Sequence, residues 1–185
     1  MNESLSNTQM QQFLNDYLPG AKVILYPEIA DIYKSGKISP TMLRWINGER
    51  PPLVILYLSS KKYGHWMALF ENEHGINFFD SYGNAPDDQM KWPIDAVFRR
   101  LSGEDRAHLV RFILDIMKPD EEVYYDEHDY QSRNPKVTTC GRHVLFRLLN
   151  MDLSVEEYND LIKMLKKFNK LKSADEVVVD QIRDA

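Results

Sequence analysis

The hydrophobic pattern of this chain switches period at Leu53. Leu53 to Tyr57 (LVILY), His65 to Phe70 (HWMALF) and Ile76 to Asp80 (INFFD) are short runs of β-branched and aromatic residues. Polar turns, Lys61-Lys62-Tyr63-Gly64 and Asn72-Glu73-His74-Gly75, separate the later runs. Runs of this length bounded by turn residues read as strands, because branched and aromatic side chains fit a pleated surface. The pattern predicts three consecutive strands, the second and third joined as a hairpin. In the middle run His65, Met67 and Leu69 alternate with Trp66, Ala68 and Phe70, and both sets are largely apolar, so this strand is buried on both faces.

Helical spacing surrounds these strands. Thr8 to Leu18 carries Met10, Phe13, Leu14 and Tyr17 on one side, and Ser39-Pro40 opens a segment that Asn47-Gly48 closes. A helix from about Pro93 to Leu101 aligns Ile94, Val97, Phe98 and Leu101. Val110 to Met117 (VRFILDIM) reads as a further strand, and Lys118 to Val137 as polar loop. Thr138-Thr139-Cys140-Gly141 then leads into Val144, Leu145, Leu148 and Leu149, with a threonine as cap and Cys140 in the first turn. Ser154-Val155-Glu156-Glu157 and Ser173-Ala174-Asp175-Glu176 have the form of capping boxes that open two last helices. The expected fold is α+β, a central, mostly antiparallel sheet flanked by helices. No low-complexity stretch, internal repeat or Gly/Ser linker divides residues 1–185, which read as one domain.

Composition narrows the partners. With 23 Lys+Arg against 28 Asp+Glu the net charge is -5, which works against non-specific binding to a phosphate backbone. The N-terminus lacks the basic and apolar regions of a secretory signal, and no run approaches the ~18 apolar residues of a membrane span. The expectation is a soluble protein that is not secreted. The single cysteine, Cys140, cannot form an internal disulfide, so any function it has is one of reactivity.

A cysteine in the first turn of a helix feels the positive end of the macrodipole and free N–H groups, and both favour thiolate over thiol. To attack a carbonyl it needs a base, usually His, whose tautomer a carboxylate or amide fixes. Pairing of the second and third strands would set Asp80, at the end of one, beside His65, at the start of the other. The same residues also fit a plainer reading. Asp80-Ser81-Tyr82-Gly83-Asn84 is ordinary turn chemistry, and a lone cysteine on an apolar helix is usually core.

Taken in order, Gly64-His65-Trp66-Met67-Ala68, Phe78-Phe79-Asp80-Ser81-Tyr82-Gly83, Gln131 and Cys140-Gly141 resemble the motifs of the adenovirus-protease and ubiquitin-like-protease group of cysteine peptidases. The nearest in character are viral maturation proteases of adenoviruses, virophages, Polinton-type elements and large DNA viruses. The resemblance spans about residues 50–150 and implies a circularly permuted papain-like core; the helices at both ends lie outside it. It implies Cys140 as nucleophile, His65 as base, Asp80 as the group orienting His65, and Gln131 with the Cys140 N–H as oxyanion donors. One such donor typically contributes about 3 kcal/mol. It further implies that Trp66 covers a narrow channel admitting residues with little side chain, hence cleavage after glycine; the bland alternative for Trp66 is a core tryptophan. Gln131 lies further from Cys140 than the group's spacing, so Asn134 is the alternative donor. With no second cysteine, a disulfide-tethered activating peptide has no partner thiol.

The expected activity is that of a cysteine endopeptidase cutting viral capsid or structural precursors at glycine-containing sites during virion maturation. Deconjugation of a ubiquitin-like modifier, acyl transfer by the same triad and a catalytically dead binding module are the alternatives. The expected setting is the virion and host cytoplasm or viral factory, as a monomer with no cofactor, metal or membrane contact. Lys163, Lys166, Lys167, Lys170 and Lys172 make one helix flank basic. They read as a solvated side, with weak binding of DNA or a peptide activator as the functional alternative.

Overall fold

In the computed structural model, which describes residues 4–61 and 63–183, the three apolar runs become the centre of a five-stranded sheet. Among the described residues the chain runs α1 (Asn7–Tyr17), β1 (Lys22–Leu25), α2 (Tyr26–Lys34), α3 (Pro40–Ile46), β2 (Leu53–Leu58), β3 (Gly64–Asn72) and β4 (Gly75–Asp80). A 3₁₀ turn (Asp88–Lys91), α4 (Ala96–Ser102), α5 (His108–Ile116), β5 (Val123–Tyr125), α6 (Cys140–Leu149), α7 (Val155–Phe168) and α8 (Ala174–Gln181) follow. The strands lie side by side in sequence order. β2, β3 and β4 pair antiparallel, with the expected hairpin between the last two, whereas β1 joins β2 and β5 joins β4 in parallel. The architecture is α+β as the pattern requires, with a sheet that is antiparallel through its three central strands and parallel at its two edges.

Both faces of β3 are covered. Trp66, Ala68 and Phe70 join Val54, Leu56 and Phe79 in a core shared with α1, α6, α7 and α8. Met67 and Leu69 join Ile55, Tyr57 and Phe78 in a second core under α2, α3 and α5. Strands with apolar residues on both faces require this double cover: one face is closed by helices from both ends of the chain, the other by helices from its first half and middle.

Local signals place most helix ends. Ser6 and Ser154 form full capping boxes with Gln9 and Glu157, and Ser39 and Ser173 accept from the backbone of Met42 and Glu176. Four expectations fail. Val110 to Met117 is not a strand: it belongs to α5, whose Leu109, Phe112 and Ile113 are buried at helical spacing. The stretch read as loop contains β5, and the first 50 residues, read as helices, contain β1. The helix expected from Pro93 begins only after Asp95, whose side chain caps it by accepting from the Phe98 N–H. Lys62 in the expected turn and residues 1–3 of the N-terminal stretch lie outside the described residues.

Candidate active site

The hairpin register brings the first two site residues together. Asp80 is opposite Met67, and His65 lies two residues back on the same face of β3, so both side chains emerge on one side of the sheet near its end. His65 Nε2 is 2.7 Å from Asp80 Oδ1. The carboxylate is fully buried and satisfied on both oxygens. Oδ1 also accepts from the Tyr82 N–H at 2.9 Å, and Oδ2 accepts from Asn84 Nδ2 and Gln89 Nε2, each at 2.9 Å. The imidazole is stacked against Tyr82, with centroids 4.9 Å apart, and Trp92 meets it edge-on at 5.4 Å. One ring nitrogen is held by a carboxylate and the ring plane by two aromatics, so the remaining nitrogen has a set direction.

That direction is toward Cys140. The thiol is the first residue of α6, and its side chain hydrogen-bonds the imidazole. Burial alone pushes a thiol up, but the His65 hydrogen bond and charge, with the backbone N–H groups of Trp66 and Gly141, bring Cys140 below the usual thiol range. Burial likewise disfavours a charged imidazole, yet Asp80 and the sulfur outweigh it and raise His65 to about 10. Asp80, whose burial pushes it up, is held below the usual carboxylate range by His65 and its N–H donors. These directions agree on one charge state: thiolate, imidazolium, carboxylate.

Gln131 belongs to the same cluster. Its backbone N–H donates to the Ser81 carbonyl at 2.9 Å, its Oε1 accepts from the Ser81 hydroxyl at 2.7 Å, and its Nε2 donates to the Tyr82 hydroxyl and the Val137 carbonyl. The turn after β4 therefore carries both the orienting carboxylate and the anchor of Gln131. Cys140, His65, Trp66, Tyr82 and Gln131 line one groove of about 620 Å³. Asn134 is exposed and works locally, its Oδ1 accepting from the Lys136 N–H.

Trp66 is both a core residue and a groove residue. It is 3% exposed, packs in the core with Cys140 and Phe79, and lines the groove. Its indole donates to the Leu5 carbonyl at 3.2 Å, which pins the segment Ser4–Ser6 along the groove beside Cys140. Gly141 leaves room for that contact: a Cβ there would lie 3.1 Å from Leu5 Cδ1 and 3.2 Å from Trp66 Cδ1, so those side chains would have to give way by a few tenths of an ångström. The sequence reading assigns no role to Tyr82, Trp92, Gln89 or Leu5. Tyr82 was within reach, since an aromatic two residues after the orienting Asp is placed to stack on the imidazole. Trp92, Gln89 and Leu5 arrive from distant segments and leave no local signal. Among the described residues no group of three His, Cys, Asp or Glu side chains is arranged to hold a metal, and no helix is long and apolar enough to cross a membrane.

The fold and groove define an α+β protein with a buried Cys-His-Asp cluster at one end of a mixed sheet. No family model matches the chain. The chain is 30% identical over 176 residues to the uncharacterised protein V9 of the Sputnik virophage, covering 95% of this chain and 91% of that protein. It belongs to the same family as that virophage protein.

Proposed function

We propose that this protein is a cysteine endopeptidase acting through Cys140, His65 and Asp80. One observation carries the reading: a cysteine at the first residue of a helix hydrogen-bonds an imidazole whose other nitrogen is 2.7 Å from a buried carboxylate, the thiol and the imidazole lining one groove. A structural cysteine needs none of these partners.

In the proposed reaction the Cys140 sulfur forms a bond to the substrate carbonyl carbon while the carbonyl π-electrons move to oxygen. The oxyanion accepts from the Cys140 N–H and from Gln131 Nε2, which exchanges one of its resting acceptors for it. Collapse of this intermediate breaks the C–N bond as imidazolium delivers its proton to the departing amine, leaving a thioester and neutral imidazole. Water then attacks the thioester, His65 takes its proton, and the C–S bond breaks to release the acid and restore the thiolate and imidazolium. Asp80 keeps the imidazole in one orientation and stabilises its charged form throughout.

The substrate proposed is a capsid or structural precursor cut after glycine or another small residue, within the virion or infected cell. Two things support this: the placement of Trp66 against the groove beside Cys140, and a relative encoded by a virophage.

Alkylation of Cys140 by iodoacetamide across pH tests the reading, since no other thiol can react. A rate plateau extending well below the usual thiol range of about 8.5, lost in His65→Ala, is the expected result. A single rise near that value, unchanged in the variant, would show that the two residues are uncoupled and end the proposal. Glycine-containing fluorogenic peptides then measure hydrolysis directly.

A further inference from the structure

The groove does not account for a second polar cluster, buried one layer behind it. Asp175, the second residue of α8, is 9% exposed and receives three groups from two other segments. Its Oδ2 accepts from the Ser132 N–H at 3.0 Å, and its Oδ1 accepts from the Thr139 hydroxyl. His143 Nε2 lies 3.1 Å from the same Oδ1. His143 is fully buried on α6, one turn from Cys140. A carboxylate only accepts, so His143 is the Nε2–H tautomer, and its Nδ1 is buried with no partner among the described residues. The contacts are ordered along the chain in an informative way. Ser132 directly follows Gln131, and Thr139 directly precedes Cys140. A single side chain from α8 therefore clamps both ends of the segment between the two oxyanion donors.

That segment needs a clamp. The Thr139 side chain makes no capping bond to α6, its hydroxyl being committed to Asp175, and between Ser132 and Thr139 the chain has no helix or strand to hold it. Two donors must converge on one oxygen to within a few tenths of an ångström, and misplacement by about 1 Å costs on the order of 10²-fold in rate. A buried charged acceptor at a helix N-terminus, where the dipole also favours it, is a stiff anchor.

We infer that Asp175 is a positioning residue for the oxyanion hole, setting the distance between the Gln131 side chain and the Cys140 N–H by binding Ser132 and Thr139 at once. The inference rests on the peptidase reading and adds to it a residue from outside the segment that carries the family-like motifs.

The test compares two probes of Cys140 in the parent, Asp175→Asn and Thr139→Val. Iodoacetamide reports the thiolate and builds no oxyanion. A tripeptide aldehyde ending in glycinal forms a hemithioacetal whose oxygen enters the hole. Thr139→Val removes one of the three bonds at nearly constant volume, and Asp175→Asn keeps the shape while removing the charge, so at least one is expected to fold, as judged by circular dichroism and thermal midpoint. The expected result in a folded variant is an iodoacetamide rate within twofold of the parent, aldehyde affinity weaker by about tenfold or more, and kcat lower by a similar factor at unchanged KM. Folded variants with parental kcat and aldehyde affinity would overturn the inference, and so would iodoacetamide rates that fall in step with kcat, which would place the effect on the nucleophile. A parent that neither cleaves the glycine peptides nor binds the aldehyde would instead overturn the peptidase reading itself, and the inference with it.

Discussion

Asp80 concentrates the electrostatics of the site in one side chain: four donors and no solvent. Asp80→Asn keeps the shape but turns one acceptor into a donor, so His65 loses both its orienting anion and the charge that raises it. Peptide hydrolysis is expected to fall by about 10³- to 10⁴-fold, the scale seen when the carboxylate of a catalytic triad becomes an amide. The reactive window should narrow as well. The parent holds imidazolium up to about 10, so the alkaline limb of kcat lies there, and in Asp80→Asn it should move toward the usual imidazole range of about 6.5. Stability follows with a definite sign. Asp80 is depressed in the native state, so its contribution is full above the unfolded carboxylate value and is lost as pH falls through the lower native one. His65 is raised, so its contribution is full below the unfolded imidazole value and is lost as pH climbs toward about 10. The thermal-midpoint gap between parent and Asp80→Asn should therefore be widest between about pH 4 and about pH 6.5 and close at the acid end. A gap that persists undiminished in strong acid would mean that Asp80 acts as a neutral hydrogen-bonding group.

At the scale of elements, the placement of His65 depends on how β3 begins. A Cβ on Gly64 would lie 2.6 Å from the Tyr57 carbonyl oxygen, a backbone atom of β2 that cannot move aside without disturbing the ladder. Gly64→Ala should displace the adjoining His65. The expected outcome is a kcat loss of tenfold or more, on the order of what sub-ångström misplacement brings, with a cooperative melt retained. Steady-state kinetics beside calorimetry separates this from general destabilisation. The β2–β4 meander and its turns were legible because strand periodicity, turn residues and an Asp at a strand end are local signals. So was α6, where a threonine-glycine boundary and helical spacing coincide at Cys140. α5 was not, because a short apolar run such as VRFILDIM has no decisive period until Leu109 is counted with it, and then Leu109, Phe112 and Ile113 define a helix face. β5 is three residues long and half-exposed at an edge, so its existence depends on β4 as a template rather than on its own residues. The four named site residues around Cys140 were legible by type and order. Leu5, Trp92 and Asp175 were not, since each reaches the site through long-range packing that no spacing encodes.

Taken whole, the molecule does not divide into a motif-bearing centre with dispensable ends. The family-like motifs lie within about residues 50–150, yet Leu5, Met10 and Leu14 from one end and Val177, Val178 and Ile182 from the other are buried in the same core as Trp66, Cys140 and Val144. The C-terminal helix thus carries two loads, an apolar one through its valines and a polar one through Asp175. Burying a side chain such as Val or Ile contributes roughly 1.5–3 kcal/mol, so three of them together approach the whole net stability of about 5–15 kcal/mol expected of a single domain. Removing residues 173–185 should accordingly abolish cooperative unfolding, not merely lower its midpoint. Urea titration followed by tryptophan fluorescence reads this directly, because Trp45 and Trp66 are buried, one in each core. A truncated chain should lack a sigmoidal transition and show Cys140 alkylated as an ordinary exposed thiol. If it unfolded cooperatively and kept the low-pH alkylation plateau, the centre would be self-sufficient, α8 an accessory, and the shared core would contribute far less than its burial implies.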